Sequence, residues 1–379
     1  MTRTLAALSL LALAACSDTA PTALTPTATA AFNSSGGQSA GAVYTSTNDA
    51  VANEVIVFQR SADGRLSQRS DVPTGGTGSG ASNLGSQGSV TLAENGRWLL
   101  VTNAGSNDVS VFRVDGTTLT LTDREPSGGT FPVSVAIRGS VVYVLNAGMP
   151  NNVQGFTLSQ DGTLSPLAGA TQPLSAAMTG PAQVAVDPQG TRLVVTEKGT
   201  NRISTYPLSG NGQIGNRVSS PSASPTPFGF AFDNRGRLVV SEAVGGAPNG
   251  SVLSTYAIAN DGTLQVISAS VPTLQTAACW VVITNNGRLV FTTNTGSGSV
   301  SGFERSPDNS LSLLASVAAN TGAGSSPIDM ALSRNSQYAY ILSPGNNTLR
   351  PYTVNANGTL SGLGPVNGIP SSAYGLAAQ

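Results

Sequence analysis

The sequence of 379 residues contains no histidine. This absence excludes Ser-His-Asp and Cys-His catalysis, histidine-ligated zinc, and imidazole acid–base chemistry near neutral pH. Charged residues make up only 10% and the net charge is −1, so no basic patch predicts a nucleic-acid partner. The two cysteines, Cys16 and Cys279, are too few for a disulfide framework. Because no base accompanies Cys279, we expect a buried small hydrophobic residue there and not a nucleophile.

Turn-forming residues are plentiful instead: the chain has 44 glycines and 22 prolines, and aromatic residues make up 5%. This composition is typical of short strands joined by many turns. The length would allow two or three domains, but an all-β fold of this size can also be a single domain.

Residues 1–15 have the features of an export signal. Arg3 is followed by an apolar stretch, Leu5 to Ala15, that is too short to cross a bilayer as a mature helix. Leu13-Ala14-Ala15-Cys16 resembles the lipobox of bacterial lipoproteins, which implies cleavage before Cys16 and lipidation of its thiol. A plain secretory signal is the alternative.

The predicted anchor places the protein in the cell envelope, attached to the membrane through lipid on Cys16. By resemblance to Gram-negative lipoproteins, Ser17 after the cysteine favours the outer membrane, with the protein facing the periplasm or the surface. Residues 16–40 are rich in Thr, Ala, Pro and Ser, and we expect a disordered tether.

One unit of about 50 residues recurs from residue 41 to residue 379, a period typical of β-propellers or repeat arrays. Each copy has four strand signals, A to D. The third strand ends near one aromatic residue in every copy: Phe58, Phe112, Phe156, Tyr206, Tyr256, Phe303 and Tyr352. We expect these aromatic side chains to fill the space between sheets.

A turn signal follows each aromatic strand, mostly Asp-Gly or Asn-Gly, as at Asp63-Gly64 and Asn357-Gly358. These pairs supply the positive φ that a tight hairpin needs. The first copy lacks strand A, whereas Tyr374 to Ala378 resemble a strand A with nothing after it. The sequence therefore predicts an all-β, seven-bladed β-propeller of four antiparallel strands per blade, closed by the C-terminal strand on the N-terminal blade.

Strand direction alternates within a blade, so the B-strand ends and the A-strand starts should meet on one face around the central opening. The B-strand ends are Ser46, Asn103, Asn146, Glu197, Glu242, Asn294 and Ser343. The A-strand starts are Ser89, Ser134, Gln183, Gly229, Trp280 and Asp329, and Lys198 and Arg202 follow Glu197 closely. One interpretation is that these residues cap strand ends and bond turn backbones. The other is a binding funnel for a small molecule or a protein, with Asn103, Asn146, Gln183, Lys198, Arg202, Trp280 and Asn294 as ligand-binding residues.

The segment 180–206 resembles the signature blade of the lactonase family of seven-bladed propellers, which includes a 6-phosphogluconolactonase and carboxymuconate cyclase-like proteins. Gly180-Pro181, Pro188, Gly190 and Glu197 match its pattern, and the segment 277–303 matches another blade, with Asn294 retained. The resemblance implies an Arg-His pair at the position of Ala182-Gln183, and further histidine, glutamate and arginine residues where Asp187, Trp280, Val282 and Thr295 stand here. Loss of the arginines removes bidentate recognition of a phosphate or carboxylate, so a phosphorylated lactone is not the expected substrate.

Two functions follow. The first is a monomeric, non-catalytic propeller that binds a small molecule or a protein. The second is a lactone or ester hydrolase with Glu197 or Glu242 as general base and Asn103, Asn146 or Asn294 stabilising the oxyanion. A variant of the second adds Ca²⁺, held by Glu197, Glu242, Asn146 and Asn294; otherwise no cofactor is expected.

Overall fold

The computed structural model of the chain describes residues 39–81 and 84–379. The predicted signal, the predicted lipidation site Cys16 and the predicted tether up to residue 38 lie outside the described residues. Within the described part, no helix combines the length and the apolar character needed to cross a membrane.

Seven antiparallel sheets, or blades, form the described chain. The strands of the first four blades, in chain order, are β1 (Ser39–Ser46), β2 (Glu54–Ser61), β3 (Leu66–Pro73); β4 (Val90–Leu92), β5 (Trp98–Asn103), β6 (Asp108–Asp115), β7 (Thr118–Pro126); β8 (Pro132–Arg138), β9 (Val141–Asn146), β10 (Asn152–Leu158), β11 (Leu164–Pro173); β12 (Pro181–Val186), β13 (Arg192–Glu197), β14 (Arg202–Pro207) and β15 (Val218–Pro221).

Blades 5 to 7 comprise β16 (Pro227–Phe232), β17 (Leu238–Glu242), β18 (Val252–Ile258), β19 (Leu264–Pro272); β20 (Ala278–Ile283), β21 (Leu289–Asn294), β22 (Ser299–Arg305), β23 (Leu311–Asn320); β24 (Asp329–Leu332), β25 (Tyr338–Ser343), β26 (Thr348–Val354), β27 (Leu360–Gly362) and the short β28 (Val366–Asn367). Two single-turn 3₁₀ helices, Val244–Gly246 and Pro344–Asn346, lie between B and C strands. The last strand, β29 (Tyr374–Ala378), belongs to blade 1.

The ring closes as predicted, because β29 pairs with β1 and the sheet order of blade 1 is β29-β1-β2-β3. Val43 lies opposite Ala378, and Ser46 lies opposite Tyr374. The Ser46 hydroxyl also donates to the Tyr374 carbonyl at 3.0 Å. The innermost strand of blade 1 therefore comes from the C-terminal end of the described chain. Its pairing with β1 covers an edge of the sheet that would otherwise be open.

The strand C aromatic residues are core residues, as expected. Six of the seven are at most 1% exposed, and Tyr352 is 5% exposed. They belong to clusters that join two blades, as Phe112 of blade 2 does with Tyr44 and Ala377 of blade 1, and Tyr206 of blade 4 does with Val133 and Leu145 of blade 3.

The predicted C–D turns have the expected left-handed backbone, with φ of 85° at Gly64 and 75° at Asn309. Their carbonyl groups also join blades. Tyr143 Oη of blade 3 donates to the Gly212 carbonyl of blade 4 at 2.9 Å, and Tyr340 Oη of blade 7 donates to the Gly64 carbonyl of blade 1 at 3.1 Å. The seam that closes the ring is therefore built with the same contact as an internal seam.

Two faces of the ring matter for function. At the A–B face, each A strand ends and the following B strand begins. At the B–C face, each B strand ends and the next A strand begins, and this is the face on which the sequence predicts the funnel.

Candidate functional site

The B-strand ends lie inside the blades and not in an open funnel. All seven are at most 2% exposed: Ser46, Asn103, Asn146, Glu197, Glu242, Asn294 and Ser343. Asn103 shows the common arrangement, because its Nδ2 donates to Asp108 Oδ1 at 2.6 Å and to Ser110 Oγ at 2.8 Å in the adjacent C strand. Its Oδ1 accepts from Asn53 and Thr74 of blade 1, both at 2.9 Å. These contacts fasten a strand end to its neighbours.

Glu197 is fully buried and both of its carboxylate oxygens accept hydrogen bonds. Oε1 accepts from the Ser204 hydroxyl of the C strand. Oε2 accepts from the Ser175 hydroxyl and from the Ser175 backbone N–H at 3.1 Å. A general base needs a free oxygen that reaches a substrate or water, and this geometry leaves none exposed.

Glu242 has the equivalent environment one blade further on. Its Oε1 accepts from Tyr256 Oη at 2.7 Å and from the Ser224 N–H at 3.1 Å, and its Oε2 accepts from Ser254 Oγ at 2.6 Å. Burial raises the pKa of the Glu242 carboxyl, an effect that these donors partly offset. The two glutamates share no hydrogen-bond partner, because the partners of each belong to its own blade or to the loop before that blade.

The asparagines proposed as calcium ligands or oxyanion donors also point into the sheets. Asn146 Nδ2 donates to the Ser127 carbonyl and to Asn152 Oδ1, and Asn294 Nδ2 donates to Ser299 Oγ and Ser301 Oγ. The Oδ1 atoms of Asn146 and Asn294 are buried without a partner in the described chain. Among the described residues, no cluster of three or more His, Cys, Asp or Glu side chains could hold a metal ion.

Two other predicted binding residues, Arg202 and Gln183, have different positions. Arg202 is exposed at the start of its C strand, where its guanidinium donates weakly to the Ser219 carbonyl at 3.4 Å. Gln183 lies on an A strand at the channel and bridges two blades, since its Nε2 donates to the Phe230 carbonyl at 3.0 Å and its Oε1 accepts from the Phe230 N–H at 2.7 Å. Cys279, which was expected to be a buried small residue, is fully buried.

Lys198 and Trp280 share neighbours, since both contact Phe228 and the link between blades 1 and 2. The link between blades 1 and 2 crosses this region: Trp280 Nε1 donates to the Ser86 carbonyl at 2.9 Å, and the Ser86 N–H donates to Tyr374 Oη at 3.0 Å. The Trp280 ring lies 5.3 Å from Phe228 and 6.3 Å from Tyr374, centroid to centroid. The indole is fully buried, so it serves as packing in this structure and not as a ligand platform.

Lys198, the only lysine of the sequence, completes this central cluster. Its Nζ donates to the carbonyl groups of Gly85, Gly180 and Pro181 at 2.9, 3.1 and 3.2 Å, and lies 5.2 Å from the Phe228 ring centroid. No carboxylate pairs with it in the described chain, and burial lowers the pKa of the ammonium to about 8. Carbonyl oxygens and an aromatic face therefore replace a counter-ion.

A cavity opens at the A–B face, opposite the predicted funnel. Its volume is about 800 Å³, within the range of small-molecule sites. The A-strand residues in its wall are Gln87, Gly88, Val90, Thr91, Leu92, Gln183, Asp329, Met330, Leu376 and Ala377. The residues at its mouth are Ala40, Arg60, Glu94, Asn95, Arg334, Asn335 and Gln379. Of the predicted ligand-binding residues, only Gln183 lines it.

Asp329 is the buried titratable group in the cavity wall. It is 2% exposed, its Oδ1 accepts from the Met330 N–H at 2.7 Å, and its Oδ2 has no hydrogen-bond partner among the described residues. Burial raises the pKa of this carboxyl well above its usual range, and the N–H groups of Met330 and Leu376 offset only part of that effect. Asp329 was visible as the one carboxylate among the predicted A-strand starts, but the sequence pattern did not separate it from Ser, Gln and Gly at the equivalent positions.

The family described as "Lactonase, 7-bladed beta-propeller" matches residues 43–173, 138–243 and 241–333. No curated protein matches the chain.

Solved structures share the fold at low sequence identity. A protein from Lactobacillus plantarum is 14% identical, with a TM-score of 0.71 over 89% of this chain and 98% of that one. The periplasmic gluconolactonase PpgL of Pseudomonas aeruginosa is 17% identical, with a TM-score of 0.66 over 88% of this chain and 98% of that one. Since the family match extends over most of the sequence and the structure has the seven blades that its description names, the chain belongs to the lactonase family of seven-bladed β-propellers.

Proposed function

We propose that this protein is a lipid-anchored lactonase-family propeller of the cell envelope that binds a small molecule in the cavity at the A–B face without hydrolysing it. The observation that carries the proposal is the state of the two candidate bases. Glu197 and Glu242 are fully buried with hydrogen bonds at both carboxylate oxygens, whereas the open cavity lies at the other end of the channel.

The departures from the family pattern support a binding role. The positions at which the resemblance implies an Arg-His pair hold Ala182 and Gln183, and Gln183 uses both ends of its amide to join blades 4 and 5. Where the resemblance implies a histidine, Asp187 binds the turn after its own strand through Thr191 and Arg192. Residues that would meet a substrate have structural contacts instead.

The membrane attachment rests on the lipobox-like segment ending at Cys16 and on the position of Ala40. Ala40 lies at the mouth of the cavity, so a tether that joins the propeller there would leave the cavity face on the side of the anchor. An extended chain reaches about 3.3–3.6 Å per residue, so the roughly 23 residues from Cys16 to Ser39 could hold the mouth up to about 80 Å from the membrane.

Lipidation is tested by the intact mass of the protein from the membrane fraction, compared with Cys16→Ala. We expect acylated wild-type protein in that fraction and a soluble, unacylated variant. Equal masses after allowance for the substitution, or equal partitioning, would contradict the anchor.

A lactone hydrolase is the second candidate, favoured by membership of the lactonase family. It would use Glu197 or Glu242 as general base, with Asn103, Asn146 or Asn294 at the oxyanion and Ca²⁺ as an optional ligand, and it requires the B–C face to open. D-Glucono-1,5-lactone distinguishes the two functions.

With wild-type protein we expect the rate of lactone opening to equal the rate in buffer, with or without Ca²⁺. Turnover that Glu197→Gln or Glu242→Gln abolishes, and that Glu94→Gln at the opposite face does not, would establish the hydrolase and reject the binding proposal. Glu94 is a suitable control because it is an exposed glutamate, held by an ion pair with Arg138.

A further inference from the structure

We propose that Met149 and Met178 form a reversible oxidation site on the B–C face, where hypochlorous acid converts both thioethers to sulfoxides before it reacts elsewhere in the described chain. This inference goes beyond the proposed binding function and concerns the face opposite the cavity. Its chemical consequence is a surface that changes from apolar to polar.

The first observation is the exposure of the two side chains. Met149 is 66% exposed and Met178 is 67% exposed, whereas Met330 in β24 is only 2% exposed. The remaining methionine of the sequence, Met1, lies outside the described residues. Because an oxidant must reach the sulfur atom to react with it, Met330 serves as an internal reference for the two exposed residues.

The loops that carry the two methionines are held together by Asn151. Its backbone N–H donates to the Ala177 carbonyl at 3.0 Å, and its Oδ1 accepts from the Thr179 N–H at 2.6 Å. Ala177 and Thr179 are the residues on either side of Met178, and Asn151 lies two positions after Met149. Both methionines therefore belong to one connected part of the B–C face.

Met149 occupies a position that is polar in other blades. In four B–C loops a glycine N–H donates to a carbonyl of the link from the preceding blade, and these glycines are Gly105, Gly148, Gly199 and Gly345. The residue after that glycine is Met149 in blade 3, but it is Ser106, Thr200 and Asn346 in blades 2, 4 and 7. Since the Met149 side chain is exposed, core packing does not account for its apolar character.

Phe131 adds an aromatic ring to the same part of the face. It is 37% exposed, and its carbonyl accepts from the Ala147 N–H at 2.9 Å. The residues with the equivalent carbonyl contact in blades 4, 5 and 6 are smaller, namely Gly180, Thr226 and Ala277. The segments 127–131, 147–152 and 174–180 contain no charged residue, so two sulfoxide groups would add strongly polar atoms to an uncharged, partly apolar surface.

Few other side chains of the described chain can compete for the oxidant. Besides thioethers, hypochlorous acid attacks thiols, imidazoles, amines and indoles quickly, and the sequence has no histidine. Cys279 and Trp280 are fully buried, and Trp98 is 5% exposed. Lys198 is the only lysine of the sequence, and its Nζ is bonded to three carbonyl groups. The two exposed thioethers are therefore expected to react first.

The reaction is a two-electron oxidation at each sulfur atom. The thioether sulfur gives two electrons to hypochlorous acid and gains its oxygen atom, while chloride and a proton are released. Methionine sulfoxide reductases reverse this step, one enzyme for each sulfoxide epimer; a dithiol supplies the two electrons and the oxygen leaves as water. The site can thus consume oxidant repeatedly.

The test titrates the purified protein with hypochlorous acid and locates the added oxygen by peptide mass spectrometry. At two equivalents we expect one oxygen atom on each of Met149 and Met178, and at least about tenfold less on Met330 because of its burial. Retention on a hydrophobic-interaction column should decrease. Treatment with methionine sulfoxide reductases A and B and dithiothreitol should restore both the mass and the retention.

Two variants serve as controls. The double variant Met149→Leu, Met178→Leu keeps an apolar surface of similar size without the sulfur atoms, so its retention should match that of unoxidised wild type and should not change at two equivalents. Met330→Leu removes the buried methionine instead, and it should gain the same two oxygen atoms as wild type.

Two results overturn the inference. Oxygen on Met330, on tryptophan or on tyrosine at the level found on Met149 and Met178 would reject the selectivity of the site. Unchanged retention after both methionines have been oxidised would reject the change in surface polarity. Neither result bears on lactone hydrolysis, which the gluconolactone assay with Glu197→Gln decides separately.

Discussion

Replacing Trp280 with phenylalanine separates a packing role from a ligand role at the centre of the B–C face. The sequence places Trp280 among the candidate binding residues, whereas the structure buries it between Phe228 and Tyr374 with its indole N–H on the Ser86 carbonyl at 2.9 Å. The substitution keeps an aromatic ring but removes the donor and part of the volume.

The expected loss of stability has two parts. The Ser86 carbonyl would remain buried without its donor, which costs about 1–3 kcal/mol, and the smaller ring would leave space worth about 1–2 kcal/mol. A total of about 3 kcal/mol is therefore expected. With an unfolding entropy near 2.1 cal/mol/K per residue over about 340 ordered residues, this corresponds to a Tm lower by about 4 °C.

Calorimetry or fluorescence-detected melting measures this shift, and Trp98→Phe is the matched control. Trp98 is the only other tryptophan of the sequence and is 5% exposed, and no hydrogen bond from its indole is described. It should lose only the volume term, about 1–2 kcal/mol. Equal Tm shifts for the two variants would refute the hydrogen-bonded packing role of Trp280.

Four further substitutions test the electrostatics and the seams between blades. Because burial raises the folded-state pKa of Glu242 above its unfolded value, the ionised group weakens the fold, so the stability of wild type relative to Glu242→Gln should fall as pH rises from about 4; urea midpoints that differ equally at every pH would contradict this. Asp233→Asn should destabilise by about 3–5 kcal/mol, since Arg305, buried and 2.9 Å from Asp233 Oδ2, loses its counter-charge, and a cost below about 1 kcal/mol in urea unfolding would count against that ion pair. Tyr340→Phe at the closing seam and Tyr143→Phe at an internal seam should each cost about 1 kcal/mol, whereas a negligible effect confined to Tyr340 would indicate a looser closing seam.

The fold was predictable because it depends on residues that repeat. Three local patterns together predict a closed ring of seven blades. They are an aromatic residue near the end of each C strand, a Gly or Asn in each C–D turn, and an isolated A strand at residues 374–378. The structure confirms them through Phe112 in the core, the positive φ of Asn309 and the pairing of β29 with β1.

The direction in which strand-end side chains point was harder to predict. Alternation along a strand decides on which face of the sheet a side chain lies, and Glu197 and Glu242 lie beside hydroxyl groups of their neighbouring C strands. The Ser residues two positions into those strands, Ser204 and Ser254, were a possible signal, since Ser110 and Ser301 recur at the same place beside Asn103 and Asn294. A polar pair repeated in four blades favours a structural role over a site that exists once.

The sequence repeats did not predict that the B–C end of the channel is closed. It depends on a single connection, in which Ser86 is held by Trp280, by Tyr374 and, through its hydroxyl, by the Val133 carbonyl at 2.8 Å. Contacts among distant blades arise only when the ring is assembled, and no periodic pattern encodes them.

Different strands hold the blades together and line the channel, so such a propeller could change its chemistry without losing its fold. Blade cohesion comes from the B-strand ends, the C-strand aromatics and the C–D turns, all of which keep their contacts here. The A strands contribute the channel wall, and their side chains can change as long as backbone pairing persists. At three of these positions, where the family resemblance implies charged residues or histidine, this chain has Ala182, Gln183 and Trp280. A ligand at the A–B face would therefore contact A-strand and turn residues, and not Glu197 and Glu242, whose carboxylates bind hydroxyl groups of the C strands of their own blades.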